Sequence, residues 1–159
     1  MIRENWALAF TIALVAVLTV ATGPLGPFSI SPATSESLGS GSANLSVESV
    51  PTSATLTAGT YTDVYYLDVP PAGVAIGDVR GSPLLTMSLT IEELGYSRSS
   101  VFVLSTTMVG EHSFEISRDS LELSNLTADQ LDGTLQMVLR DGDGERVLVD
   151  RNVTVVVVE

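Results

Sequence analysis

The sequence predicts an all-β fold, an antiparallel β-sandwich of immunoglobulin-like type with about seven or eight strands. From residue 43 onward, short segments alternate apolar and polar residues with a period of two, which is the pattern of half-buried strands. These segments are rich in β-branched residues and are separated by turn-forming Gly, Pro, Asn and Asp. No long helical periodicity interrupts them, so two packed sheets are expected to bury one face of each strand.

The predicted strands differ in how clearly they alternate. The clearest is the segment at residues 84–91, whose inward positions are Leu85, Met87, Leu89 and Ile91. In the segment at residues 112–116 the inward positions are Phe114 and Ile116. The other strands are predicted at residues 43–50, 61–69, 101–109, 120–124 and 134–140, and after the DGDG turn the chain returns through residues 145–149 to 152–158.

Two further predictions concern the C-terminal part of the chain. Residues 126–133 are expected to form one helical turn, with Thr127 as its cap. The last strand, residues 152–158, carries valines on both faces after Thr154. That strand is therefore expected to be covered on both sides near its end.

The charge balance is strongly acidic, with 19 Asp and Glu against 7 basic residues, all of them Arg, and a formal net charge of −12. The chain is 45% hydrophobic, so it is not a disordered acidic tail. This combination is typical of proteins from extreme halophiles, where molar salt shortens the Debye length to about 3 Å. It also argues against a nucleic-acid partner, because phosphate recognition depends on Lys and Arg.

The N-terminus contains an apolar, uncharged run at residues 6–21 that reads as an export segment. A Gly-, Pro- and Ser-rich stretch follows it up to residue 42. We therefore predict a signal peptide or signal-anchor helix at residues 1–22, a linker or stalk at 23–42 and an extracellular β domain at 43–159. The protein is expected at the cell membrane with its β domain outside, or secreted if the first segment is cleaved.

The sequence leaves cleavage of the export segment open. A signal peptidase site is expected after Ala21, with Thr19 three places before the cut and Arg3 supplying the basic region. The anchor alternative uses Trp6 at the interface and Arg3 on the cytoplasmic side. As a helix the 16 apolar residues would span about 24 Å, against about 30 Å of membrane hydrocarbon.

Three N-glycosylation sequons agree with export. They begin at Asn44, Asn125 and Asn152. These asparagines are candidate sites of glycosylation.

The candidate metal site is the DGDG stretch near the C-terminus. Asp141, Asp143 and Glu145 have the alternating spacing with which carboxylates bind one calcium ion. The stretch departs from the EF-hand pattern, since Arg146 stands at the position of the sharp-turn glycine and Asn152 at that of the closing glutamate. The favoured interpretation is a hairpin turn in which Gly142 and Gly144 adopt positive φ.

No catalytic residue and no cofactor site are predicted. The single histidine, His112, is expected to be a partly exposed strand residue. Glu92 and Glu93 are expected to belong to the solvated acidic surface. Four tyrosines are candidates for a carbohydrate platform, but core packing or a tyrosine corner explains them without a ligand: Tyr61, Tyr65, Tyr66 and Tyr96.

The order of an export segment, a Gly/Ser linker and a β domain resembles small exported or membrane-anchored β-sandwich proteins of halophilic archaea. Pro27-Phe28-Ser29 and the run from Gly39 to Val47 also resemble the start of the TasA/camelysin class of secreted filament and matrix proteins. The resemblance implies no catalytic residue.

The sequence therefore predicts a non-enzymatic cell-surface or secreted module with an interaction or structural role in the envelope of a halophile. One alternative is a filament or biofilm-matrix subunit that assembles by strand exchange. Another is a domain that binds calcium or carbohydrate. The expected partners are the membrane, through an uncleaved helix, and other envelope proteins or further copies of the chain.

Overall fold

A computed structural model of the chain describes residues 37–60, 63–124 and 126–158. This part is nearly all β, with ten strands and one short 3₁₀ helix at Glu92–Leu94. The strands are β1 (Ser40–Ser49), β2 (Ser53–Ala58), β3 (Val64–Asp68), β4 (Ala72–Ser82), β5 (Leu84–Ile91), β6 (Tyr96–Val103), β7 (Gly110–Phe114), β8 (Asp119–Glu122), β9 (Gln130–Asp141) and β10 (Gly144–Val158). The predicted export segment and residues 23–36 of the predicted linker lie outside the described residues.

The strands form two sheets. The small sheet has the order β1-β4-β7, and the large sheet has the order β6-β5-β9-β10-β2-β3-β8. Neighbours are antiparallel except β10 and β2, which run parallel. The prediction of an all-β fold is confirmed, whereas the prediction that all pairs are antiparallel fails at this one pair.

One apolar core is shared by both sheets. Buried residues of β1, β4 and β7 form a single cluster with those of the large sheet, and the buried side chains of the described residues are all apolar. The inward positions predicted for β5 are confirmed, since all four side chains are 0% exposed. Phe114 and Ile116 are also buried, as predicted.

The ten strands exceed the seven or eight predicted, mainly because β2 and β4 were not recognised. Their sequences, SATLTA and AGVAIGDVRGS, are rich in small residues and glycine, which have weak strand preference. Each of these segments is hydrogen-bonded to two neighbouring strands, and this pairing stabilises the strand despite its weak local preference. In addition, β6 begins at Tyr96 and ends at Val103, so the predicted strand at residues 101–109 was displaced toward the C-terminus.

The helical turn predicted at residues 126–133 is wrong. Residues 126–129 have no helical structure, and β9 begins at Gln130. Gln130 and Leu131 pair with Val156 and Val155 of β10. Strand pairing and the burial of Leu131 therefore override the local helix preference.

The last strand, β10, lies inside the large sheet, between β9 and β2. Val153 and Val155 face the core and are buried. On the opposite face Val156 is half-buried and Val158 is 42% exposed. The expectation that both faces of this strand are covered is therefore wrong for its last residue.

All prolines of the described residues lie where the chain passes from one sheet to the other. Pro51 lies between β1 and β2, Pro70 and Pro71 between β3 and β4, and Pro83 between β4 and β5. Proline has no backbone N–H and cannot donate to a strand ladder. These residues therefore end one ladder where the chain leaves for the other sheet.

The first strand begins at Ser40, inside the stretch predicted to be linker. Gly41 pairs directly with Gly81 of β4, and a Cβ atom on Gly41 would collide with the backbone of Arg80. Glycine is thus required here by the close approach of two strands, although the Gly- and Ser-rich composition of this stretch resembles that of a linker.

Candidate functional site

The DGDG stretch is a tight hairpin turn between β9 and β10. Asp141 pairs with Gly144, and Gly142 and Asp143 form the two-residue loop. Gly144 has a positive φ of 125°. Gly142 is needed for a different reason, because a Cβ atom there would lie 3.0 Å from the carbonyl oxygen of Gly41. The hairpin interpretation is confirmed, with this correction to the role of Gly142.

The carboxylates of the turn are engaged locally. Asp141 Oδ1 accepts a hydrogen bond from the backbone N–H of Asp143 at 3.0 Å, which closes an Asx turn. Glu145 Oε1 lies 4.0 Å from Arg140 Nη1. Within residues 37–60, 63–124 and 126–158, no three His, Asp or Glu side chains come together in a way that could hold a metal ion. Calcium binding by Asp141, Asp143 and Glu145 stays a prediction.

Two of the three sequon asparagines are exposed. Asn44 lies on β1 and Asn152 on β10, and both side chains reach solvent. Asn125 lies outside the described residues.

A shallow cleft of ≈ 380 Å³ lies over the small sheet. Glu48, Glu111 and His112 line it together with small residues of β1, β4 and β7. His112 is half-buried on β7, and its ring is tilted by 40° relative to that of Phe114, with ring centroids 6.4 Å apart. The prediction of a partly exposed strand histidine is confirmed.

The tyrosines do not form a common platform among the described residues. Tyr65 and Tyr66 are adjacent on β3 and point to opposite faces of the sheet. Tyr65 and Tyr96 pack against the core, whereas Tyr66 is 49% exposed. Tyr61 lies outside the described residues. Glu92 and Glu93 are exposed on the 3₁₀ helix, as expected for surface acids.

The most densely connected polar group was not recognised from the sequence. The hydroxyl of Tyr96 on β6 donates a hydrogen bond to Asp119 Oδ2 on β8 at 3.0 Å. Arg98 Nη1 lies 3.6 Å from the same oxygen. Because β6 and β8 are the two edges of the large sheet, the sheet curls until its edges meet at this seam. We call Tyr96, Arg98 and Asp119 the edge seam.

The seam changes the acidity of the tyrosine. Burial, followed by the hydrogen bond to Asp119 and the charge of that carboxylate, raises the pKa of Tyr96 to about 12. Arg98 opposes this shift, because a nearby positive charge favours the phenolate. The backbone N–H of Ser117 also donates to Ser100 Oγ at 3.0 Å, which adds a second connection between β6 and the chain entering β8.

One signal in the sequence pointed to the edge seam. Tyr96, Arg98 and Phe102 lie at alternate positions of one strand and pair with the inward residues of β5. Polar residues at inward positions require partners. The partner, however, is 21 residues further along the chain from Arg98 and cannot be identified without the sheet order.

No protein-family model matches this chain, and a comparison with curated proteins found no similar sequence. The described residues contain no helix that is long and apolar enough to cross a membrane. The apolar run at residues 6–21 lies outside them.

Proposed function

We propose that the protein is a non-enzymatic, immunoglobulin-like β-sandwich module that is exported and has an interaction or structural role in the cell envelope of a halophile. The observation that carries the proposal is the two-sheet β domain with an entirely apolar described core, which follows an apolar, uncharged N-terminal run in an acidic, lysine-free chain.

The strand order supports the immunoglobulin-like assignment. In immunoglobulin domains one sheet contains strands A, B and E, and the other contains C′, C, F and G. The order β1-β4-β7 corresponds to the first set, and β6-β5-β9-β10 corresponds to the second. In this scheme β2, β3 and β8 extend the second sheet beyond its G strand.

The chemistry of the described surface supports a role without catalysis. The ion pairs join exposed or partly exposed side chains. The cleft at His112 is open, and a group of three metal-ligating side chains is not found in the described part of the chain. Such a surface suits solvation in high salt.

Export is tested by expressing the full chain in a halophilic host and measuring intact mass and protease sensitivity on whole cells. We expect external protease to remove the β domain from intact cells, or the domain to appear in the medium. An intact mass equal to that of the chain without residues 1–21 would show that the export segment is cleaved and is not retained as an anchor. A chain without residues 1–22 is the control and should remain inside the cell. Full protection of the intact chain would contradict the proposal.

A filament subunit is the second candidate, and one observation favours it. The ten-residue strand β1 is an edge of the small sheet, with β4 as its only strand neighbour among the described residues. The backbone N–H of Gly142 already donates to Gly41 O at 2.8 Å, and the edge beyond Gly41 can accept a strand from another chain. Concentration-dependent fibres in high salt would support this candidate, and their absence at high concentration would contradict it.

A further inference from the structure

The outer face of the large sheet, which is the face turned away from the shared core, carries an unusual apolar patch. Its residues lie at one end of four adjacent strands, β6, β5, β9 and β10. We call it the valine strip, and it consists of Leu84, Val101, Val103, Val138 and Val147.

The strip is open to solvent. Val101, Val103 and Val147 are 58%, 49% and 56% exposed. The register places Val101, Thr86, Val138 and Val147 in one row across the four strands. Apolar side chains that are contiguous and rimmed by polar residues mark interaction surfaces more often than isolated ones do.

The charge pattern around the strip also differs from that of the rest of the chain. The outward positions of β6, of β5 and of β9 from Thr134 to Arg140 contain none of the chain's 19 acidic residues. They carry mainly Ser, Thr and Val. The neighbouring strand β10 does carry outward acids, Glu145 and Asp150. Three adjacent strands without an outward acid over this length, on so acidic a protein, favour an interaction surface over a solvated one.

We propose that the valine strip is the interface with a second copy of this chain. A two-fold axis parallel to the strands, between β5 and β9, would place β10 of each copy against β6 of the other. Val147 would then face Val101 of the second copy, and Val138 would face Thr86. The acids of β10 would lie over the acid-free strand β6 and avoid like-charge contacts.

The size of the surface sets the strength of the association. The valine strip together with the polar outward residues beside it, on four strands about 4.8 Å apart and about six residues long, covers roughly 300–400 Å² per copy. A stable interface buries about 800 Å² per partner, so the dimer is weak and forms at high protein concentration. It also requires high salt, because the net charge of −12 repels a second copy when screening is removed.

The first test is sedimentation velocity of the full chain, solubilised if it is anchored, over a concentration series in molar salt. We expect a reversible monomer–dimer equilibrium. Val147→Glu should weaken it by at least about tenfold, because the change enters the interface twice. Val109→Glu is the matched control, since Val109 is equally exposed at 58% and lies outside the strip. The monomer–dimer equilibrium of Val109→Glu should be the same as that of the original chain.

The second test fixes the pairing. Val101→Arg and Val147→Glu should each prevent self-association, whereas an equimolar mixture should form a heterodimer in which Arg at 101 meets Glu at 147. Within one chain these positions are three strand spacings apart, about 14 Å, and cannot pair. Unchanged circular dichroism would show that both variants fold.

Several outcomes would overturn the proposal: a strict monomer at all concentrations, equal effects of the changes at Val147 and Val109, or a mixture that remains monomeric. Fibres that persist in Val147→Glu would assign self-association to the open edge of β1 instead. The association does not depend on export, so a protein found inside the cell could still dimerise.

Discussion

Gly133 lies at a position in the core where neighbouring side chains leave little room for a side chain of its own. It lies on the inward face of β9, and a Cβ atom there would approach Leu89 Cδ1 at 3.1 Å and the methyl groups of Val153 and Val155 at 3.2 Å. These three neighbours are nearly or completely buried and cannot move toward solvent. The glycine is therefore required by packing and not by backbone conformation.

We expect Gly133→Ala to destabilise the domain by about 1–3 kcal/mol, because it overpacks a closed core. Gly77→Ala is the control, since its Cβ would make an ordinary contact at 3.5 Å with Asn44 Nδ2 on the surface. Denaturant unfolding in high salt measures both variants. Equal stability of the two variants would contradict the packing argument.

Tyr96 provides a second prediction at this scale. Its hydroxyl donates to Asp119, so Tyr96→Phe should destabilise the domain by about 0.5–1.5 kcal/mol at neutral pH. The control is Tyr66→Phe, because Tyr66 is 49% exposed on the outer face. The free energy of unfolding of Tyr66→Phe should equal that of the original chain.

The pH dependence of Tyr96 follows from its raised pKa. In the unfolded chain the pKa of Tyr96 is about 10, and in the folded domain it is about 12. The folded state therefore binds the phenolic proton more tightly than the unfolded state does. This contribution is fully present below pH 10 and is lost as the pH rises from 10 to 12. Stability should therefore fall less steeply across this range in Tyr96→Phe. Parallel curves for the two chains would contradict the assignment.

At the scale of elements, the β9–β10 hairpin depends on its turn. Asp141→Ala removes the acceptor of the Asx turn and should destabilise the domain by about 0.5–1.5 kcal/mol. Asp143→Ala keeps the backbone N–H that donates this hydrogen bond and should have a smaller effect. Thermal melts in high salt compare the two variants.

The same variants decide between a turn and a calcium site. If Asp141, Asp143 and Glu145 bind calcium, calcium should raise the melting temperature of the original chain, and Asp143→Ala should abolish the shift. The turn geometry leads us to expect melting temperatures that are the same with calcium and with a chelator. A calcium-dependent shift that Asp143→Ala removes would restore the metal site.

At the scale of the whole molecule, we expect the charge to govern folding. The net charge of −12 favours expansion unless salt screens it, and the described ion pairs are exposed or partly exposed and weakly stabilising. We expect the domain to unfold on dialysis from molar to millimolar salt, and to refold when salt is restored. Circular dichroism that is unchanged between the two conditions would contradict the prediction.

The all-β class and many of the inward residues could be predicted from the sequence alone. Leu85, Met87, Leu89 and Ile91 were identified correctly because a period of two in a strand is a local property that a folded sheet preserves. The acidic surface was equally predictable, because composition does not depend on topology. The turn at Gly142 and Asp143 was predictable because short hairpins select their residues locally.

Sheet order and register were decided only by the tertiary structure. The short strand β2 forms because β10 and β3 flank it, and the chain around Gln130 is extended because β10 pairs with it. The edge seam exists because the large sheet curls until β6 meets β8. The valine strip exists because four separate segments align their outward residues in one row. Each of these features joins residues that are distant in the chain, and local patterns do not specify which distant strands become neighbours.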